Sequence, residues 1–272
     1  MNRLSIITIN YNNAIGLKKT IESVISQTFT DYEFIIIDGA STDGSVDIIK
    51  KYVDKITFWA SEEDSGIYNA MNKGISKSNT EYCLFLNSGD WLNEDILGKV
   101  VCELTGEEII YFNTYLSYNT VKVEQLNYPS QLTMRSFFKR TIGHQSTIIK
   151  RGLFTRNGYY KESYRIHADY EFWIRTIIIG NASCKYVNDT LSYYDMGGQS
   201  SIISDLSLQE IDLIINKYLP KRIVDDYEYW YTRERELEIL LWYKRQKYIY
   251  IFLVFIYKII KNINMFGSKL IL

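Results

Sequence analysis

The sequence is short of several things, and each shortage excludes something. There are three cysteines, Cys83, Cys102 and Cys184, far apart and with no CxxC or Cys/His spacing, so neither a disulfide framework nor a zinc site is written into the chain and a reducing compartment is expected. There are only two prolines, and no internal repeat or low-complexity tract. The net charge is -1, so no global basic field points to nucleic acid. The N-terminal Met-Asn-Arg-Leu-Ser-Ile-Ile enters a strand-like run at once, without the long apolar region or small-residue cleavage site of a signal peptide. No GxGxxG follows a strand, which counts against a dinucleotide-binding fold. No glycine-rich loop with a basic residue follows the first strand, where Asn-Tyr-Asn-Asn stands instead; that counts against a nucleotidyltransferase. What is plentiful is apolar residues, 46% of 272, enough for one large domain with a proper core. There are also 24 tyrosines, whose amphipathic rings suit grooves without assigning one.

The first ninety residues alternate strand and helix patterns. Leu4 to Ile9, Phe34 to Ile37, Ile56 to Ala60 and Tyr82 to Leu86 read as strands, and the stripes within 15–27, 46–53 and 67–76 as helices. That succession predicts an α/β fold with a mostly parallel sheet and flanking helices. Each strand ends in small polar residues on the same edge, where open sheets bind ligands. The last, Glu81-Tyr-Cys-Leu-Phe-Leu-Asn-Ser-Gly-Asp90, places a single carboxylate there with Asn87 nearby. A carboxylate beside small residues suits a hard divalent cation that takes its other oxygens from a ligand's phosphates; the plainer alternative is an Asp90 that caps a following helix.

Beyond Asp90 the pattern is mixed. Helices are expected over 93–104, 132–139, 168–179, 205–218 and 226–244. Strands are expected over 109–118 and 121–123 around a Tyr118-Asn119-Thr120 turn, and over 147–149, 185–187 and 191–194. This half reads as the acceptor side of the same domain, giving a domain over 1–220 (halves 1–95 and 96–220) and a helical tail over 221–272. From Trp242 onward there are six Lys or Arg and no Asp or Glu, and 248–257 is uncharged and mostly large and apolar. That stretch is far short of the roughly 20 apolar residues a spanning helix needs. It fits a helix lying on an anionic membrane surface, or one packed on the domain.

Four segments together resemble the N-terminal half of family 2 glycosyltransferases: Ser5-Ile-Ile-Thr-Ile-Asn-Tyr-Asn12, Ile37-Asp-Gly-Ala-Ser-Thr-Asp-Gly44, Asp64-Ser-Gly-Ile-Tyr-Asn-Ala-Met-Asn-Lys-Gly74 and Leu86-Asn-Ser-Gly-Asp90. Those enzymes are inverting and have the GT-A (Rossmann-like) fold. The resemblance implies nucleotide-sugar contacts at Ile9, Tyr11, Asp38, Asp64, Asn72, Asn87, Ser88 and Gly89. Tyr11 would stack on a base and Asp38 accept from its N–H. Asp43-Gly44 reads as a cap and tight turn. Asp90 resembles the last carboxylate of the family's Asp-x-Asp metal motif and would hold Mn²⁺ or Mg²⁺, while Asn87 replaces the first acid and leaves a carbonyl oxygen. Met71 stands where many relatives carry Arg, and Ala168 where a Glu is usual. Asp169 matches the general base, Glu171 being a rival that faces away, and His144 and His167 are acceptor-side candidates. The reading is therefore a transferase moving a sugar from a nucleotide sugar, a UDP-sugar first, to a hydroxyl of a saccharide or lipid-linked acceptor in polysaccharide assembly. It would be cytoplasmic, peripheral on the inner face of the membrane through its tail. The three departures keep a non-catalytic nucleotide-sugar-binding homologue open.

Overall fold

The computed structural model describes residues 3–118, 122–197 and 204–267, the side chains of 122 and 262–267 excepted. The chain divides into two units, Met1–Tyr218 and Leu219–Leu272.

The first unit is an α/β domain. Strands β1 (Leu4–Asn10), β2 (Glu33–Asp38), β3 (Phe58–Ser61) and β4 (Tyr82–Phe85) pair in parallel in the order β3-β2-β1-β4. Between them run helices α1 (Ala14–Ile25), α2 (Ser45–Lys51) and α3 (Ile67–Lys77). β1 and β4 are buried along their whole length, as β-branched and apolar runs covered on both faces must be. Leu4 and Ile6 belong to the same core cluster as Leu17, Ile21 and Val24 of α1. Ile7 meets α3 at Gly74, where a Cβ would lie 2.4 Å from the Ile7 Cγ2.

The sheet continues past β4. β8 (Thr147–Lys150) lies antiparallel between β4 and β6 (Ile109–Tyr118), β9 (Cys184–Asp195) runs parallel to β6, and β5 (Trp91–Leu92) closes the edge antiparallel to β9. β7 (Lys122–Leu126) pairs with β6; residues 119 and 120 of the expected turn lie outside the described residues. The second half of the domain therefore extends the same sheet, and it brings the end of β9 to the turn that follows β4, beside the ends of β1 and β2.

Several expected boundaries move. Trp91 and Leu92 pair with β9, and the helix expected from 93 starts late, as α4 (Leu97–Glu103). The strands expected at 185–187 and 191–194 are one strand, β9, whose register with β6 shifts around Asn113. α5 (Met134–Phe137) is shorter than expected. α6 (Arg151–Asn157) has no counterpart in the sequence pattern, because only Leu153 and Phe154 are buried on it. α7 (Ala168–Trp173) passes into a π-helical turn over Ile174–Ile179, where the Thr176 hydroxyl donates to the Phe172 carbonyl and the Gly180 N–H to that of Arg175. α8 (Asp205–Tyr218) ends the unit.

The second unit is helical: α9 (Lys221–Thr232), α10 (Glu234–Arg245) and α11 (Lys247–Gly267). The single helix expected over 226–244 breaks at Arg233, whose N–H turns back to the Trp230 carbonyl. Tyr248, Ile251, Phe252, Phe255 and Tyr257 of α11 are exposed. Among the described residues no helix is long and apolar enough to cross a membrane.

Candidate active site

The ends of β1 and β2 are tied together by one buried carboxylate. Asp38 is fully buried and accepts from the Asn10 Nδ2 (2.7 Å), the Ser41 N–H (2.9 Å), the Ser41 hydroxyl (2.6 Å) and the Ser61 hydroxyl (2.6 Å). Four donors satisfy both oxygens, so Asp38 braces the floor of the cleft. The expected contact to a base edge would fall on an oxygen that already has two protein donors. The exposed surface above it is built by others. A Cβ on Gly39 would lie 2.6 Å from the Asp64 Oδ2 and 3.2 Å from the Tyr11 Cδ2, so the missing side chain makes room for an aromatic ring and a carboxylate side by side. Tyr11 is 69% exposed, and Asp64 holds the start of α3 by accepting from the Gly66 N–H (2.9 Å). Asp43 accepts from the Ser45 N–H and hydroxyl and from the Ala14 N–H, a turn-and-cap role as expected.

The Asn87–Asp90 turn follows β4. Thr20 of α1 sits beneath it, accepting from the Gly89 N–H (3.0 Å) and donating to the Asp90 carbonyl (2.6 Å). Asn13, which caps α1, donates to the Ser88 carbonyl (3.0 Å). Gly89 has φ +106°, a conformation that excludes a β-carbon at low cost. Asp90 caps no helix. Its Oδ1 accepts from the backbone N–H of Asp195 (2.9 Å), at the end of β9, and the Asp195 carboxylate lies beside Gly89. Burial pushes the Asp90 carboxyl up to about 7, the neighbouring Asp195 charge adding to it against the Asp195 amide, His144 and Lys19. The Lys19 ammonium rests on the Trp91 ring, 2.8 Å from its centroid; burial lowers its pKa, with the Asp195 and Asp90 charges opposing the shift. Met71, where the resemblance leads one to look for a cation, is buried in the core.

The third group comes from the second half of the domain. Asp169, in the first turn of α7, accepts from the Tyr170 N–H (2.8 Å) and lies 3.0 Å from the Tyr68 hydroxyl of α3 on Oδ1, and 3.1 Å from the His144 Nδ1 on Oδ2. The Tyr68 hydroxyl also reaches the Ile166 carbonyl (2.5 Å) and has one proton for the two acceptors. Burial raises the Asp169 pKa, but the hydrogen bond and positive potential of His144, with His167 and the Tyr170 amide, outweigh it and leave the group below its ordinary value. His144 sits in the 3₁₀ turn His144–Ser146 before β8, and its Nε2 lies 3.0 Å from the Asn87 Nδ2. One imidazole thus spans the 87–90 turn and the expected base. The loop into α7 is fixed by the buried Glu210, which accepts from the N–H groups of Arg165 (2.7 Å), Ile166 (3.0 Å) and His167 (2.9 Å).

Not every expected residue joins this cluster. His167 turns to the Ser207 hydroxyl (2.7 Å) and is half-buried, with burial lowering its pKa. Asn72 faces the 160–162 loop, donating to the Tyr160 carbonyl and the Glu162 carboxylate and accepting from the Tyr160 N–H. Ile9 contributes its backbone, accepting from the Ser88 N–H, while its side chain is buried. Glu171 is fully buried between Lys161, Arg175 and the Tyr218 hydroxyl, away from Asp169. Asp195, Lys19 and Tyr68 join the cluster with no expectation from the sequence behind them. Asp195 ends a strand in a carboxylate just as Asp38 does, and that signal would have found it.

The match to known proteins is consistent with this arrangement. The model of glycosyl transferase family 2 matches residues 5–165. A "PGL/p-HBAD biosynthesis glycosyltransferase" of Mycobacterium bovis is 32% identical over 209 residues, covering 74% of this chain and 80% of that protein. A "Cholesterol galactosyltransferase" of Borreliella burgdorferi is 26% identical over 247 residues, covering 81% and 68%. Among solved structures, S. aureus TarS 1-349 in complex with UDP-GlcNAc superposes with a TM-score of 0.66 at 20% identity, over 83% of this chain and 70% of that one; its complex with UDP is matched over 64% of its length. The mannosyltransferase PcManGT of Pyrobaculum calidifontis, in complex with GDP-Man and Mn²⁺, superposes with a TM-score of 0.55 at 14% identity, over 71% and 56%. These neighbours share the GT-A architecture that the resemblance implied. With more than half its length inside the family model, the chain belongs to glycosyl transferase family 2 and is a glycosyltransferase.

Proposed function

We propose that the protein is an inverting transferase that moves a sugar from a UDP-sugar to a hydroxyl of a saccharide or lipid-linked acceptor. The observation that carries the reading is the meeting of Asn87 and Asp169 on the two nitrogens of His144, with Asp90 at the other end of the same turn. Tyr11 offers the base a flat wall and Asp64 an acceptor for its N–H, while Asp38 holds both loops from below. The diphosphate lies along the 87–90 turn.

The donor set there suits Mn²⁺ or Mg²⁺. The Asp90 and Asp195 carboxylates are hard oxygen ligands, and the Asn87 Oδ1 is buried without a partner. Among the described residues no three His, Cys, Asp or Glu form a complete site, so phosphate oxygens would supply the remaining positions. Such an ion would offset the charge developing on the departing nucleoside diphosphate.

The chemistry of the chain's own residues is a single displacement. The acceptor hydroxyl attacks the anomeric carbon opposite the leaving diphosphate, and Asp169 takes its proton; a positioned base contributes about 10²–10⁴ in rate. Being ionised at neutral pH, Asp169 is ready to accept. The tail supports a membrane-surface acceptor, since α11 exposes apolar residues between Lys247 and Lys258.

The test is release of nucleoside diphosphate from a panel of nucleotide sugars with Mn²⁺, with and without chelator, and donor binding by calorimetry. Turnover of one UDP-sugar that chelator and Asp90→Asn both abolish is the expected result. A protein that binds none of the donors would return the non-catalytic reading.

A further inference from the structure

Tyr68 reaches the cluster from α3 with a hydroxyl that has more acceptors than protons. Its ring is buried and packs on Tyr160, with centroids 5.6 Å apart. α3 itself is seated closely on β1 where Gly74 meets Ile7, so the hydroxyl oxygen is held at a fixed point. From that point it lies 2.5 Å from the Ile166 carbonyl and 3.0 Å from the Asp169 Oδ1. One proton fully serves one of them at a time. Burial, and the Asp169 charge after it, raise the Tyr68 pKa well above its ordinary value, so the hydroxyl keeps its proton and only the direction of that proton changes. The two oxygens of Asp169 are unequally served. Oδ1 takes the Tyr170 N–H (2.8 Å) as well as Tyr68, which fills both of its lone pairs. Oδ2 meets only the His144 Nδ1 among the described residues, at 3.1 Å, and keeps a lone pair for one further donor.

From this geometry we infer that Tyr68 is a positioning residue for the base: its hydroxyl donates to the Asp169 Oδ1 while the carboxylate is ionised, leaving Oδ2 to receive the acceptor's proton, and turns to the Ile166 carbonyl once Oδ2 has received it. An ionised carboxylate forms a hydrogen bond roughly twice as strong as a neutral acceptor does, so it wins the Tyr68 proton despite the longer contact. In the reaction the acceptor oxygen bonds to the anomeric carbon, the bond to the diphosphate breaks, and the acceptor's proton moves to Oδ2. The carboxyl is then neutral and its pull on the Tyr68 proton falls. The Ile166 carbonyl, already in place, takes that proton without the movement of any heavy atom. A donor with a single partner, such as the Tyr170 amide, would be left facing a weaker acceptor at that moment. Tyr68 has a second partner waiting, so it orients the base at a smaller cost in basicity. The other groups around Asp169 are His144 from the 3₁₀ turn and His167 and the Tyr170 amide at the start of α7, while Tyr160 and Tyr128 feel its charge. The inference rests on the reading of Asp169 as the base, but the hydrogen bond at its centre is read without turnover.

The test follows the Asp169 carboxyl directly, by ¹³C NMR titration of protein labelled at its aspartate carboxyl carbons, with Asp169→Asn identifying the signal. Tyr68→Phe keeps the buried ring and removes the hydroxyl. The Asp169 pKa is expected to rise by about one unit, because a donor to the ionised form is lost, and the acid limb of the kcat pH profile to move up with it. Placing 3-fluorotyrosine at position 68 keeps both ring and hydroxyl and makes the hydroxyl a stronger donor, so the pKa is expected to fall below that of the wild type. Above the acid limb Tyr68→Phe is expected to lower kcat about ten-fold, with KM for the donor held within about two-fold, since the base loses its orientation and the donor site is untouched. A hydroxyl that served only to brace Ile166 would leave the carboxyl indifferent to both replacements. That result, or shifts of the same sign from both, overturns the inference. If the carboxyl behaves as expected but Asp169→Asn keeps full kcat, the Tyr68–Asp169 hydrogen bond stands, while the base reading falls and the positioning role falls with it.

Discussion

Replacing Asp90 with asparagine should make the protein more stable and less able to work, and the gain should depend on pH in a fixed direction. The Asp90 carboxyl is pushed from 3.8 up to about 7 by burial first and by the Asp195 charge second. The folded protein therefore holds this proton more tightly than the unfolded chain does. Well below pH 4 both states are protonated and nothing is lost. As pH rises from 4 to 7 the unfolded chain ionises freely while the folded one resists, so stability falls, and the full penalty stands above 7. Three pH units correspond to about 4 kcal/mol at pH 8, and to roughly 1.5 kcal/mol at pH 5, where only the first unit or so has accrued. The amide of the variant keeps an oxygen for the Asp195 N–H and has no proton to lose. Urea denaturation of both proteins in chelator, followed by tryptophan fluorescence, should show Asp90→Asn ahead by about 4 kcal/mol at pH 8 and by less than half of that at pH 5. A stability difference that is flat between the two pH values would refute the reasoning, because it would mean that Asp90 is not a strained carboxylate awaiting a cation. Adding Mn²⁺ with donor should stabilise the wild type and leave the variant unmoved.

Four further outcomes are expected. Asp169→Asn should lower kcat by about 10²–10⁴ while calorimetry finds UDP affinity unchanged, since the base touches the acceptor proton alone. Gly39→Ala should weaken UDP binding measurably with little change in melting temperature, because the new methyl displaces the Asp64 carboxylate and the Tyr11 ring and no core residue. Glu210→Ala strips one buried carboxylate from three backbone N–H donors and should cost about 3 kcal/mol in denaturation, with kcat falling as the loop before α7 loosens. The full chain should float with vesicles containing phosphatidylglycerol and stay behind with pure phosphatidylcholine, and charge reversal at Lys258 and Lys261 should abolish flotation; equal binding to both lipids would remove the electrostatic part of the tail's role.

The parallel half of the sheet was legible because each of its strands is a short apolar run that stops at once on polar residues. Local composition carries that signal without help from distant residues. The acceptor half was less so, for reasons that particular residues show. Trp91 and Leu92 look like the entry to a helix, and it is pairing with Ser192 and Tyr193, about a hundred residues away, that makes them a strand. Asn188 and Asp189 look like a turn between two strands, yet β9 runs through them because its register with β6 slips near Asn113. At Arg233 no glycine or proline marks the break between α9 and α10.

The site divides along the same line. Asp90, Asp169 and His144 could be marked one at a time, each at an element end, but what each does depends on a partner the sequence does not place beside it. Asp38 illustrates the difficulty: a carboxylate at a strand end suggests a ligand contact, and only the positions of Asn10, Ser41 and Ser61 show that its oxygens are already occupied. Asn87 illustrates the converse. Taken alone it weakens a metal motif by one charge. Set against its neighbours it reaches the His144 Nε2 at 3.0 Å, on the ring whose other nitrogen lies against Asp169, while its Oδ1 is buried without a protein partner. The departure at position 87 and the pairing of His144 with Asp169 therefore meet on one ring, a relation that no pattern within either segment could announce.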